Sequence, residues 1–429
     1  MSPAANRQNR NSTLNLLMQG FRAASGIIIM ACLARYLTVE AFGTFYFLLS
    51  IVMMLAIPTT MGLPILVSRE TAAALKVGDH SRIRQTLRTA LTLVAVTSLT
   101  IIAAGWLAIR FTGVIDTNKT ALMLGLLMIP ITALANLRTG FLRGLGAVVL
   151  SQIPEMLVRP VVFITIVLLL LFVGRNGQSA EDAMVIQLFA AISSFVAGLL
   201  LLRHAMPNAS GPAYEDVALW PLVMSSITLG ASTGLAMLNS NIDVLMIGIL
   251  RSELEVGLYR PAVSMANFLL FGLQAAGWTI MPGLASAYRQ NDMAELERQA
   301  VRAARFGFVT AALFASFILL FGKWILVSFF GPEFEATYPS LAILALGQLA
   351  NSAFGSLIVL NNMTQNERIT LRSALAAVLV NIILNALFVP SFGIIAAAAA
   401  TVASLMVNKT ILLISVKRRL GIKCAVFFV

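Results

Sequence analysis

The sequence predicts an all-α polytopic membrane protein: about twelve transmembrane helices in two pseudo-symmetric six-helix lobes around a central cavity. Three observations carry this prediction. Apolar runs long enough to cross about 30 Å of hydrocarbon as helices recur from end to end of the chain. The composition is 59% hydrophobic and 11% charged with mean hydropathy +0.89, whereas soluble domains carry about 25% charged residues. The Lys and Arg residues gather in short segments between the apolar runs, as topology signals do. The alternating pattern of a membrane β-barrel is absent, which leaves helices as the spanning solution.

Taken in order, the runs fall at roughly 12–36, 41–68, 88–110, 120–142, 152–173, 183–203, 220–250, 256–282, 303–329, 337–360, 371–390 and 394–415. The basic opening "MSPAANRQNRNS" leads into a run too long for a signal-peptide core and reads as an uncleaved first span. With the N-terminus inside, Arg7, Arg10, Arg69, Lys76, Arg82, Arg84, Arg88, Arg138 and Arg143 fall in inside segments of the first half. Arg203 follows at the junction of the halves, and Arg289, Arg298, Arg302, Arg305, Arg368, Arg372, Lys417, Arg418, Arg419 and Lys423 in the second half, while outside segments hold few basic residues. This bias places both termini in the cytoplasm. It also explains the net charge of +12 without nucleic acid, because the charge is spread over loops. Cys32 and Cys424 lie far apart without ligand spacing, so neither a metal site nor a disulfide is expected.

An offset of 214 residues lays "EAFGTFYFLLS" (40–50) on "LEVGLYRPAVS" (254–264), pairing Phe42-Gly43-Thr44-Phe45 with Val256-Gly257-Leu258-Tyr259. The inside loops "KVGDHSRIRQTLRTA" (76–90) and "QNDMAELERQAVRAA" (290–304) correspond in the same way. The chain thus reads as two lobes, 1–215 and 216–429, joined by "RHAMPNASGPAYED" (203–216). Parallel repeats are a known transporter plan, with the substrate site where the repeats meet.

Polar residues fall in stripes at helical spacing. Span 1 carries Asn11, Asn15, Gln19, Arg22 and Ser25; span 7 carries Ser225, Thr228, Ser232, Asn239 and Asp243. Span 8 carries Arg260, Ser264, Asn267, Gln274 and Trp278; spans 4 and 5 add Asn136, Gln152, Glu155 and Arg159, and span 11 adds Asn381 and Asn385. Facing lipid, Arg22, Arg159, Asp243 and Arg260 together would cost on the order of 10 kcal/mol, so they are expected to face inward. Asn, Ser and Gln also serve as interhelical glue. Glu155 and Arg159, one turn apart, are placed to neutralise each other. Arg35, Arg138, Arg143 and Lys409 lie near span ends, where snorkelling to headgroups is the expected role. The basic run 298–305 is expected on anionic lipid. Asp243 has two readings: ion-pair partner of an arginine, or cation-coupling site. Pro58, Gly62 and Pro64 in span 2, and Gly272, Gly277, Pro282 and Gly283 in span 8, mark corresponding helices that either bend or pack closely.

Several stretches resemble one family. "CLARYLTVEAFGTFYFLLSI" (32–51), "NIDVLMIGILRSELEVGLYRPA" (241–262), "RGLGA" (143–147) and "NIILNALFVPSFGIIAAAAATVAS" (381–404) are similar to passages of the polysaccharide flippases of the multidrug/oligosaccharidyl-lipid/polysaccharide (MOP) exporter superfamily. The resemblance covers essentially the whole chain, with one departure at Ala396, where the family usually has Gly. It implies a fold like that of the MATE transporters and a multi-pass protein of the bacterial inner membrane. It also implies a substrate: an oligosaccharide on undecaprenyl pyrophosphate, flipped from the cytoplasmic to the periplasmic leaflet for O-antigen, capsule or exopolysaccharide synthesis. Polymerase and chain-length machinery are implied partners besides membrane lipid, and no nucleic acid is expected. By position, pyrophosphate contact would fall on Arg22. Arg260 and Arg159 are further basic candidates from the stripes, and Asn15, Gln19, Asn239, Asn267 and Gln274 would meet the glycan. A planar guanidinium matches phosphate oxygens bidentately. Asp243 and Glu155 are the acidic candidates for ion coupling or ion pairing. No cofactor is expected; proton gradient, sodium gradient and membrane potential all stay open as drives. Two alternatives stand beside this reading. A cation-coupled drug antiporter of the same superfamily would use acidic and aromatic groups, whereas basic residues prevail here. A membrane polymerase or ligase would be an enzyme with a large outside loop, whereas these loops are short and His80 and His204 lie inside.

Overall fold

A computed structural model describes residues 3–60, 62–112, 118–174, 179–205, 219–364 and 366–422, with side chains except at 3–17, 80, 108, 111–112, 205, 219–229, 232, 278–279 and 282. The described residues are helical, without a strand. In order, the helices are α1 (Pro3–Tyr36), α2 (Val39–Leu55), α3 (Ile57–Thr60), α4 (Leu63–Lys76), α5 (His80–Thr112), α6 (Lys119–Gly144), α7 (Val148–Ile153) and α8 (Arg159–Phe172). They continue as α9 (Ala180–Ala205), α10 (Leu219–Leu250), α11 (Glu253–Phe268), α12 (Phe271–Arg289), α13 (Met293–Ile325), α14 (Tyr338–Ala353), α15 (Leu357–Met363) and α16 (Glu367–Leu420).

Local chemistry sets these boundaries. Thr38 caps α2 by accepting the Ala41 amide at 3.2 Å, and Ser252 caps α11 through the Glu255 amide at 3.3 Å. Asp79 caps α5, taking the Arg82 amide at 2.9 Å and the Ser81 hydroxyl at 2.7 Å. Each cap satisfies an amide that the first helical turn leaves without a partner. Those bonds, the Arg82 amide first, hold the Asp79 carboxyl below the usual carboxylate range.

Eight described helices are long and apolar enough to cross a membrane, or ten if two bent pairs each count as one span. Twelve were expected; the 54-residue α16 counts once although two expected runs fall within it. Its break is Gly393, at φ 56° and ψ −138°. A left-handed φ suits glycine, and a Cβ there would lie 2.7 Å from Glu255 Oε2. Arg251 pins the turn, bonding Glu255 at 2.8 Å and the Pro390 carbonyl at 3.1 Å. Both corresponding spans rich in Gly and Pro are bent: α2 against α3–α4, and α11 against α12 by 42° at Leu269–Leu270, just before Gly272. Large apolar side chains such as Phe172, Leu313 and Leu320 are 90%, 68% and 76% exposed, a surface suited to acyl chains.

Packing divides the chain into two units, 1–41 with 48–237, and 42–47 with 238–429. The first has a core around Leu66, Val67, Leu137 and Phe141 from α4 and α6. The second has one around Leu284, Leu296, Leu357 and Leu412. Residues 42–47 join the second unit by close contact. Gly43 sits on the Glu253 backbone, where a Cβ would lie 1.8 Å from the carbonyl oxygen. Thr44 donates to the Glu253 carboxylate, and the Phe42 ring meets Phe334 edge-on at 5.9 Å.

Candidate functional site

In the second unit, α10, α11 and the two legs of α16 converge on Asp243. Its side chain is 4% exposed. Thr401, on the second leg, donates to Oδ2 at 2.5 Å. Asn385, on the first leg, donates to Oδ1 at 3.4 Å, and Tyr259 of α11 to Oδ2 at 3.5 Å. Behind them Asn385 also bonds Asn381, and Asn381 donates to Ser404 at 3.4 Å. The legs present these groups because Asn381 and Asn385 are one turn apart, while Gly393 folds Thr401 back toward them. Asn385 is fully buried and its Oδ1 has no partner. Among the described residues no Lys, Arg or His forms an ion pair with Asp243. A carboxylate at this depth without counter-charge is costly unless a proton or cation neutralises it. Of the two readings of Asp243, the ion pair with an arginine is not formed among the described residues. The inward-pointing oxygens (carboxylate, hydroxyls and an unpartnered amide) form a donor set suited to a hard monovalent cation.

Arg260 follows Tyr259 on α11 and points elsewhere. Its guanidinium carbon lies 5.2 Å from the centre of the Tyr46 ring. Its Nε is buried without a hydrogen-bond partner. Asn239 is half-buried with an unpartnered Oδ1. Asn267 is exposed and accepts from Gln348 at 3.4 Å, so it joins α11 to α14; Gln274 is exposed.

In the first unit Arg22 is exposed and Gln19 half-buried on α1. The side chains of Asn11, Asn15, Ser225, Thr228, Ser232 and Trp278 lie outside the described residues. Glu155 and Arg159 pair at 3.3 Å, as their spacing predicts. Glu155 also accepts from Ser194 at 2.9 Å and lies 3.7 Å from Arg138.

Two snorkelling assignments are corrected. Arg138 is 3% exposed and its guanidinium crosses to α9, donating to the carbonyls of Ser194 and Phe195 at 3.3 and 3.2 Å. Lys409 is 6% exposed and donates to the Gly355 carbonyl at 3.4 Å, at the break between α14 and α15. Mid-helix carbonyls of α9 and the nearby Glu155 carboxylate outbid the headgroups for Arg138, and the carbonyl left over at the α14–α15 break does so for Lys409. Arg35, Arg143, Arg298, Arg302 and Arg305 are exposed. Sequence reasoning also missed Thr401, Tyr259 and Tyr46 as partners of the site.

This fold is that of the MOP superfamily. A multidrug resistance MATE family transporter of that superfamily, in an inward-facing conformation, aligns over 93% of this chain and 94% of its own with TM-score 0.76 and 14% identity. The lipid II flippase MurJ, in an inward closed conformation, aligns over 94% of this chain and 87% of its own with TM-score 0.72 and 14% identity. Residues 9–288 match the family model described as polysaccharide biosynthesis protein, and residues 229–387 match the MatE model. The first match covers about two thirds of the chain, and the protein belongs to that polysaccharide biosynthesis protein family. A probable low-salt glycan biosynthesis flippase, Agl15 of Haloferax volcanii, is 29% identical over 171 residues. That alignment spans 39% of this chain and 35% of the archaeal protein.

Proposed function

We propose that this protein is a flippase, not an enzyme. It carries a lipid-linked oligosaccharide, assembled on undecaprenyl pyrophosphate, from the cytoplasmic to the periplasmic leaflet of a bacterial inner membrane. The observation that carries the reading is the polysaccharide biosynthesis family match over residues 9–288, on a fold shared with transporters. In this reading the repeat-related lobes 1–215 and 216–429 exchange access between the two sides, and both termini are cytoplasmic. Arg22 and Arg260 bind the pyrophosphate, since permanently charged planar forks suit its oxygens. Arg260 has its Nε free for this and its face already held by Tyr46. Asn15, Gln19, Asn239, Asn267 and Gln274 are the polar groups offered to the glycan. Arg159 takes a lesser part, because Glu155 already neutralises it. The polymerase and chain-length machinery that consumes the product would be partners on the outer side.

Asp243 is the coupling residue. Sodium or a proton would neutralise it, and Asn385 Oδ1, Thr401 Oγ1 and the carboxylate itself would hold the metal ion. Its chemistry is that of a diffusible counter-charge whose gradient biases the conformational equilibrium. The test is reconstitution of the full chain in liposomes with a fluorescent undecaprenyl-pyrophosphate oligosaccharide. Flipping is expected for wild type and lost for Arg22→Ala at unchanged protein yield. Unchanged flipping by that variant overturns the pyrophosphate role. A cation-coupled drug antiporter is the second reading, favoured by the MatE match over 229–387. Cation-driven efflux of a cationic dye without glycan flipping would select it.

A further inference from the structure

We propose that Tyr259 is a positioning residue that makes the grip of Arg260 on an anionic substrate depend on sodium at Asp243. The inference rests on the coupling role proposed above for Asp243. The phenol ring is fully buried, and its hydroxyl lies 3.2 Å from Thr401 Oγ1 and 3.5 Å from Asp243 Oδ2. Those are two of the oxygens a bound cation would draw upon. With the cation absent, the phenolic proton faces a carboxylate. With the cation present, that proton is repelled and the hydroxyl must offer its lone pairs instead. The O–H can turn about its own C–O bond, but drawing the oxygen in to the cation moves the ring, and a ring with no free space around it passes that shift to the backbone of α11.

The next two residues decide what the backbone does with it. Arg260 follows directly, with its guanidinium over Tyr46 at 5.2 Å and its Nε unpartnered. Then comes Pro261, inside the helix. Proline supplies no amide hydrogen, so α11 lacks one helical hydrogen bond at this step. The helix is weakest immediately after the arginine, where a small rotation most readily re-aims that side chain. A stacked guanidinium leaves its N–H edges open, and a diphosphate uses those edges bidentately. Tyr259 and Arg260, adjacent in sequence but serving different partners, thus join a cation cage to an anion grip through one covalent bond. Direct electrostatics between sodium and the arginine would not need the phenol oxygen.

The experiment uses the purified full chain in detergent and inorganic pyrophosphate as the probe, with binding measured by calorimetry in sodium chloride and in choline chloride at equal ionic strength. Because Na⁺ and Arg260 share a state, wild type should bind pyrophosphate about fivefold or more tightly in sodium. Tyr259→Phe keeps the ring and removes the hydroxyl. It should still bind pyrophosphate, with the sodium-to-choline affinity ratio reduced toward one. Asp243→Asn should give a ratio of one, and Arg260→Ala should weaken binding in both salts. A wild-type ratio in Tyr259→Phe, with the ratio lost in Asp243→Asn, overturns the role of Tyr259 alone. A ratio retained in Asp243→Asn, or absent from wild type, overturns the coupling role of Asp243 and this inference with it.

Discussion

The two units solve the same problem, charge at membrane depth, in opposite ways. In the first, Glu155 is surrounded by Arg138, Arg159 and the Ser194 hydroxyl, and Arg138 donates through Nη1 to two α9 carbonyls while its Nε and Nη2 have no hydrogen-bond partner. In the second, Asp243 is more deeply buried and, among the described residues, meets hydroxyls and an amide rather than a cation. In the first arrangement the carboxylate already has its counter-charges, which offset part of the cost of removing the charges from water. In the proposed coupling role, a proton or cation supplies the counter-charge that the second lacks. The comparison teaches that the presence of an acid inside a span says little about its role; the sign of its surroundings decides between brace and ligand.

The largest test of this contrast is Glu155→Leu. It strands Arg138, whose side chain is 2% exposed, without its counter-charge; removal of one member of a fully buried pair costs about 3–5 kcal/mol, and the partial exposure of Glu155, 27%, puts this case below that range. The expected result is a steep loss of melting temperature in detergent; an unchanged melt breaks the brace reading. Next is Gly198→Ala. A Cβ there would lie 1.6 Å from Arg138 Nη1, so the guanidinium must leave its carbonyls, at about 1–3 kcal/mol by the usual scale of overpacking. Melting of this variant, alone and with Arg138→Met, sharpens the point, for the double variant should recover most of the loss.

Asp243→Asn should behave oppositely. It removes an uncompensated charge and leaves the shape, so it should melt no lower than wild type in sodium-free buffer. Wild type should gain about 1.4 kcal/mol at ten times the sodium Kd, and the variant should gain nothing. A variant that melts far below wild type in every salt would make Asp243 a brace as well. The smallest effect lies outside the membrane, at the cap of α5. The Asp79 carboxyl is held low in the folded chain, so its contribution is present above the unfolded carboxyl's range and fades as pH falls through the folded value. Asp79→Asn should flatten that acid limb of the melting profile and leave pH 7 little changed; an identical acid limb in both proteins would remove the cap from the account.

Much of this was legible in the sequence. Apolar runs placed the spans, because lipid demands an uninterrupted helix. The four-residue spacing put Asn381 and Asn385 on one face and Glu155 beside Arg159. Pro390 and Gly393 marked the passage between the last two expected spans. What could not be read was partnership across the fold. Thr401 meets Asp243 over 158 positions and Arg138 meets Ser194 over 56, and helical periodicity carries no information at such range. Arg138 and Lys409 looked like span-end residues by position, since nothing local announces that a carbonyl from another helix waits nearby. Tyr259 reads as one more aromatic facing the core until its hydroxyl is seen beside Asp243.

Gly393 has a consequence for how the protein is made. Both legs of the hairpin that meets Asp243 belong to α16, Glu367–Leu420, which the ribosome delivers well after the aspartate. Thr401 emerges 158 residues after the aspartate, about 8–30 s later at ordinary rates of synthesis. Until Asn385 emerges the acid has neither hairpin partner, and until Thr401 emerges it has only one, so a product truncated between those two positions keeps half of the cage.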